Sequence, residues 1–241
     1  NGTITQGQGT DSVIVNWDST GTGSLSVVDT NAFGCPGILQ SITVTINPLP
    51  VTSPVNGPDS VCENSLATYF VAPNAGSVYN WSVTNGIISG SNTNNLVNIQ
   101  WGSSGTGTLE VIETNAAGCP GAMVSMTVYI FPIPPAPAIL GSGLVCAVDT
   151  AQVYSSPLVG GLTYNWSVSG GTITSGLNSD SITVSWDTAS VSGSITLLVI
   201  NQYGCASAIT NLNVTMNPLP NATASPDSVS LCRNQPDRKS T

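Results

Sequence analysis

One pattern returns every 84 to 86 residues along this chain, and that period limits the fold more than any single motif does. Val13-Ile14-Val15-Asn16-Trp17 lines up with Val97-Asn98-Ile99-Gln100-Trp101 and with Ile182-Thr183-Val184-Ser185-Trp186. In each copy the first, third and fifth residues are apolar, the period-2 signature of a half-buried strand. A second strand follows in each copy, carried by Leu25 and Val27, Leu109 and Val111, and Ile195 and Leu197. Each copy then turns at Gly34-Cys35, Gly118-Cys119 or Gly204-Cys205 and leaves through a last alternating strand. It closes on a proline pair, Pro48 and Pro50, Pro132 and Pro134, or Pro218 and Pro220. Proline donates nothing to a sheet ladder, so it ends the strand and stiffens the joint.

The next copy opens on Cys62, Cys146 or Cys232, each preceded by Val or Leu. A Tyr-Asn-Trp-Ser-Val strand follows at residues 79–83 and 164–168, with Tyr79, Trp81 and Val83 on one face. No segment has helical periodicity. Short strands broken by Gly, Asn and Pro turns predict an all-β sandwich repeated in tandem. In register, the chain divides into the back half of a module (1–50), two whole modules (51–134 and 135–220) and the opening strand of another (221–241). A strand of about ten residues spans roughly 35 Å, so each module is expected to add about 35–45 Å to a rod.

Charge excludes several classes of function. The chain has twelve carboxylates, three basic residues and no histidine, and Arg233, Arg238 and Lys239 all lie in its last ten positions. Nothing before Arg233 can displace counterions from phosphate, so no nucleic-acid partner is expected. An anionic membrane surface is disfavoured for the same reason. The absence of an 18-residue apolar run predicts no helical membrane insertion. A serine or threonine nucleophile would lack a basic partner, so no enzyme activity and no catalytic residue are expected. Glu110 with Glu113, and Asp180 with Asp187, read as solvated surface acids because neither pair recurs in both whole modules. No EF-hand pattern is present, and six cysteines without histidine or CxxC do not form a zinc motif. No metal or cofactor is expected.

Free thiols and disulfides are both compatible with six cysteines, and disulfides are favoured in an oxidising, extracytoplasmic setting. Cysteines across a joint are 27 residues apart, and those within a module are 57 or 59 apart. A bridge needs Cα atoms within about 7 Å. Cys35 and Cys62 should lie much farther apart, since the chain crosses a joint between them. The expected bridges are therefore Cys62–Cys119 and Cys146–Cys205, with Cys35 and Cys232 joined to residues outside this chain. Trp81 and Trp166 would pack near such bridges.

Taken together, Val61-Cys62, Tyr79-Asn80-Trp81-Ser82-Val83, the Gly86 turn, Val97-x-Ile99-x-Trp101 and Gly118-Cys119 resemble PKD-like domains. Such domains occur in tandem in large secreted bacterial surface proteins. The counterparts around Cys146, Trp166, Gly171, Trp186 and Cys205 extend the resemblance over nearly the whole chain. It implies an immunoglobulin-like sandwich and surface display, adhesion or a spacer role. The better-known Trp-Asp-Phe-Gly-Asp-Gly turn is replaced here by Trp-Ser-Val-Thr-Asn-Gly, so partners of other PKD modules do not transfer.

Eight of the nine aspartates precede Ser or Thr. Seven of those tripeptides resemble a bacterial O-glycosylation acceptor, which makes Ser12, Ser19, Ser60, Thr150, Ser181, Thr188 and Ser228 candidate sites. Asp-Ser and Asp-Thr are also ordinary turn pairs. Asn80 and Asn165 head N-glycosylation sequons in form. Trp17, Trp101 and Trp186 read as core rather than as sugar-stacking platforms. The leading expectation is a structural segment of a secreted cell-surface filament or adhesin stalk, partnered by copies of itself or by neighbouring modules. The rival is a carbohydrate- or protein-binding array of a large secreted hydrolase or adhesin, which could meet surface glycans.

Overall fold

The computed structural model describes residues 2–147, 149–187, 191–219 and 233. All its regular secondary structure among these residues is strand. The expected opening strand at 221–241, including Cys232 and Ser228, lies outside the described residues, as does Thr188.

The strands in chain order are β1 (Gly2–Gln6), β2 (Ile14–Trp17), β3 (Gly21–Val27), β4 (Gln40–Ile46), β5 (Ser60–Cys62), β6 (Leu66–Phe70), β7 (Val78–Val83), β8 (Gly86–Ser89) and β9 (Leu96–Trp101). They continue with β10 (Gly105–Thr114), β11 (Val124–Phe131), β12 (Leu144–Cys146), β13 (Gln152–Ser155), β14 (Leu162–Ser169), β15 (Gly171–Ser175), β16 (Ser181–Trp186), β17 (Ser192–Asn201) and β18 (Thr210–Asn217). The chain forms two compact units, Asn1–Phe131 and Pro132–Thr241.

In the first unit, one sheet runs β5-β11-β10-β7 and the facing sheet β6-β9-β8. The alternation seen in the sequence sets the layers. Tyr79 and Trp81 of β7, Leu109 and Val111 of β10, and Val128 and Ile130 of β11 all point inward. They meet Tyr69, Val97, Ile99 and Trp101 of the other sheet in one buried cluster. Trp101 sets edge-on against Tyr69, centroids 5.8 Å apart and planes at 84°. Its indole N–H donates to Tyr69 Oη at 3.1 Å, and that hydroxyl donates to the Pro58 carbonyl at 3.0 Å. The polar end of each ring is thereby satisfied within the core.

The second unit repeats the plan with sheets β12-β18-β17-β14 and β13-β16-β15. Tyr154 and Trp186 form the same edge-on pair, with centroids 6.1 Å apart. Trp166 Nε1 donates to Ser179 O at 2.8 Å, as Trp81 Nε1 does to Asn94 O at 2.8 Å. Residues 1–50 supply β1–β2 and β3–β4. Val27 of β3 is 60% exposed, whereas its counterpart Val111 of β10 is fully buried.

One glycine repeats for a packing reason. Gly107 and Gly193 lie under the Trp101 and Trp186 rings, where a Cβ would run into the indole. At Gly107 that carbon would also stand 2.8 Å from the Thr84 carbonyl oxygen. Gly107→Ala should therefore cost the first unit about 1–3 kcal/mol through overpacking, read as a lowered thermal midpoint in calorimetry. An unchanged midpoint would mean the ring has room to move.

The opening cysteines occupy a particular place in this fold. β5 runs parallel to β11, pairing Ser60 with Tyr129, Val61 with Ile130 and Cys62 with Phe131. β12 runs parallel to β18 and pairs Cys146 with Asn217. Each opening cysteine is thus carried to the trailing end of its own module, beside the last strand residue before the next proline pair.

Candidate functional site

The best-defined polar constellation is the turn that holds each Gly-Cys pair. Asn115 closes this turn: its Oδ1 accepts the N–H groups of Ala117 and Cys119, both at 3.0 Å. Asn201 does the same for Tyr203 and Cys205, both at 3.0 Å, and Asn31 for Phe33 and Cys35 at 3.0 and 3.1 Å. Gly118 and Gly204 sit at φ of 81° and 83°, left-handed values that glycine adopts without steric cost. With the turn fixed, the amide nitrogen of the asparagine points at the linker before the module. Asn115 Nδ2 donates to the Pro48 carbonyl at 2.8 Å, and Asn201 Nδ2 donates to the Pro132 carbonyl at 2.9 Å. In two successive modules the proline joint is clasped by the same turn through the same bond.

The sequence reading singled out Gly-Cys and missed this asparagine. The signal was present: Asn-x-x-Gly-Cys recurs at Asn31, Asn115 and Asn201.

Each module adds its own second hold on the linker. Glu113, read from sequence as a solvated acid, is instead fully buried. Thr52 donates to its Oε2 at 3.0 Å and Asn74 Nδ2 to its Oε1 at 2.8 Å. Burial pushes the carboxyl pKa up, but hydrogen bonds from Ser77, Asn74 and Thr52 outweigh it and leave the pKa below the ordinary value. The second module has Val199 at this point, and its linker is held instead by Thr210 Oγ1 donating to Pro137 O at 2.6 Å.

A folded-state pKa below the unfolded one means Glu113 contributes stability above its unfolded value near 4.3. That contribution is lost as pH falls through the folded value. The first unit should therefore lose stability on acidification more steeply than a Glu113→Gln variant does. Denaturant titrations from pH 5 downward would show this as converging midpoints; parallel curves would contradict it.

The cysteines depart from the expected pairing. Cys62 and Cys205 are disulfide-bonded, whereas Cys119 and Cys146 are free thiols, so neither Cys62–Cys119 nor Cys146–Cys205 forms. The reason is the direction of the opening strand. Cys62 lies at the trailing end of its module beside Phe131, while Cys119 lies in the turn at the leading end beside Pro48. β11 has eight residues, so the two cysteines are separated by about 25 Å of strand, far beyond bridging distance. The same separation holds between Cys146, beside Asn217, and Cys205, beside Pro132. Cys35 is free and exposed.

Ser12, Ser19, Ser60 and Thr150 are exposed, and Ser181 is half-buried at the start of β16. Asn80 and Asn165 face outward from β7 and β14. Trp101 and Trp186 are core residues. Among the described residues no group of three Cys, Asp or Glu side chains is placed to hold a metal ion. Among the same residues no helix is long and apolar enough to cross a membrane.

Fold and joint together define a tandem array of immunoglobulin-like β-sandwich modules. The family model of the PKD-like domain matches residues 48–128 and again 132–214, and the chain belongs to that family. No curated protein matches it. Among solved structures it is similar to fibronectin(III)-like modules of Clostridium thermocellum CbhA, at 10% identity and TM-score 0.38, covering 68% of this chain and 94% of that one. It is similar to the FN1–FN3 domains of chicken CNTN1, at 11% identity and TM-score 0.39, covering 80% and 77%. A C-terminal intimin fragment in complex with the intimin-binding domain of its translocated receptor gives 13% identity and TM-score 0.42, covering 70% and 65%.

Proposed function

We propose that this chain is a non-enzymatic structural segment of a secreted protein, serving as a stalk or filament at the cell surface. The observation that carries the reading is the repeated joint. Asn115 and Asn201 bind the proline carbonyl at the start of their own modules through the same bond, so the segment that enters each module is held by folded structure rather than left as free chain. A clasped joint suits an element that must keep its reach, since an ordered linker loses the freedom of a flexible one. Oxidised Cys62 and Cys205 support an extracytoplasmic location. The near absence of basic residues gives trypsin-like proteases nothing to cut before Arg233.

A binding array would need a recognition surface repeated in each module. Phe33 and Tyr203 are exposed at matched turn positions, but Ala117 stands there in the central module. A spacer needs no such surface, which favours the structural role. Exposed Ser12, Ser19, Ser60 and Thr150 are proposed O-glycosylation sites, which would hydrate a surface of very low charge. Intact mass before and after deglycosylation should fall by whole glycan units; identical masses would remove the modification from the account.

Electron microscopy of the native material tests the role itself. Beaded threads at the cell surface, labelled by an antibody to residues 51–134, are the expected result. Label confined to the cytoplasm would overturn it, and strong binding of an isolated module on a glycan array would transfer the function to recognition.

A further inference from the structure

We propose that Glu113 is a proton-operated latch on the segment that enters the first whole module. Its carboxylate ties residues 50–54 to the loop at 72–77, and protonation releases both while the sandwich stays folded. The segment has few other holds. Residues 47–55 join no sheet ladder, and Val51 is 90% exposed. The Pro48 carbonyl accepts from Asn115 Nδ2, and Ser53 Oγ accepts the Ala72 N–H at 2.8 Å. Between those two contacts Thr52 donates to Glu113 Oε2 at 3.0 Å. From the loop, Asn74 Nδ2 donates to Oε1 at 2.8 Å, and Ser77 adds a third hydrogen bond.

The carboxylate sits among donors with no counter-ion. Glu113 ends the inward row of Gly107, Leu109 and Val111 on β10 and is fully buried. The entering segment, the 72–77 loop and the turn at 115–121 carry no Asp, Glu, Lys or Arg. Their one titratable side chain is Cys119, in the turn, and β7 adds only Tyr79. The Tyr79 hydroxyl serves the loop itself, accepting the Asn74 N–H at 2.9 Å and donating to the Ala72 carbonyl at 3.4 Å. Glu110, three residues back on β10, takes Ser82 on the outer face of the sheet. Hydrogen bonds to a charged acceptor are roughly twice as strong as neutral ones. A proton from solvent cancels that charge and brings one more hydrogen into a site already filled by donors. Asn74 Nδ2 has only hydrogens to offer it.

The second unit supplies an internal reference. Val199 stands at the matching position, and the Val159 N–H is held by Tyr164 Oη at 2.9 Å as the Asn74 N–H is by Tyr79 Oη. That loop has the same clasp and no carboxylate behind it. The latch works in the same way whether the array bears load or ligands, so its failure would leave the structural role standing.

Amide hydrogen exchange of the full chain from about pH 6 to about pH 3, corrected for the intrinsic rate at each pH, tests the latch across the carboxylate range. Protection of Ala72 and Asn74 should fall about ten- to a hundredfold on acidification, while Val159 and the β10–β11 ladder keep theirs. Glu113→Gln keeps one acceptor but adds two hydrogens, so it should show the low protection at every pH. Should that variant fail to fold, Thr52→Val gives a second reading: Ala72 should already be less protected near pH 6, with a smaller step on acidification. Ala72 protection that stays constant through the titration, or that is lost together with the ladder, would overturn the proposal. So would wild-type protection in either variant.

Discussion

Trp101→Ala should remove about 3–5 kcal/mol from the first unit, the range for truncating a buried indole. Trp101 is 1% exposed, fills the space over Gly107 and supplies the hydrogen bond that satisfies Tyr69. Truncation opens a cavity and takes that donor from the Tyr69 hydroxyl. A domain is stable by only about 5–15 kcal/mol, so the loss is a large part of what the module has. Because each unit has its own buried cluster, calorimetry of the variant should show one transition moved far down and the other nearly in place. Trp186→Ala should move the opposite transition. Equal displacement of both by either substitution would mean the modules do not fold as separate bodies.

Reduction should have the second large effect. Cys62 and Cys205 are both oxidised. A disulfide restricts the unfolded chain, and losing one typically costs about 2–4 kcal/mol. Reductant, or Cys205→Ser, should therefore lower the thermal midpoints, while Cys119→Ser should leave them in place because its thiol is free. A midpoint that falls with Cys119→Ser and not with Cys205→Ser would reverse the assignment.

Much of this fold is legible in the sequence because strand periodicity is a local signal. Val97, Ile99 and Trp101 alternate with polar neighbours, and all three are buried. Tyr79 and Trp81 share the inner face for the same reason. What was not legible depends on contacts far apart in the chain. The parallel pairing of β5 with β11 joins residues about seventy positions apart and moves Cys62 to the opposite end of its module from Cys119. Spacing alone gives no hint of that direction, and the distance argument that set aside pairing across a joint left only pairs within a module. Glu113 looked solvated because its partners Thr52 and Asn74 lie 61 and 39 residues away. The asparagine clasp was half legible: the Asn-x-x-Gly-Cys repeat is local, but its target carbonyl at Pro48 is 67 residues distant.

Stretching single reduced molecules by their ends tests the tandem array most directly. The account predicts a separate force peak for each of the two compact units, each peak releasing the chain length of one module, about 250–300 Å for some 80 residues at ~3.3–3.6 Å each. A single peak that releases both units together contradicts it.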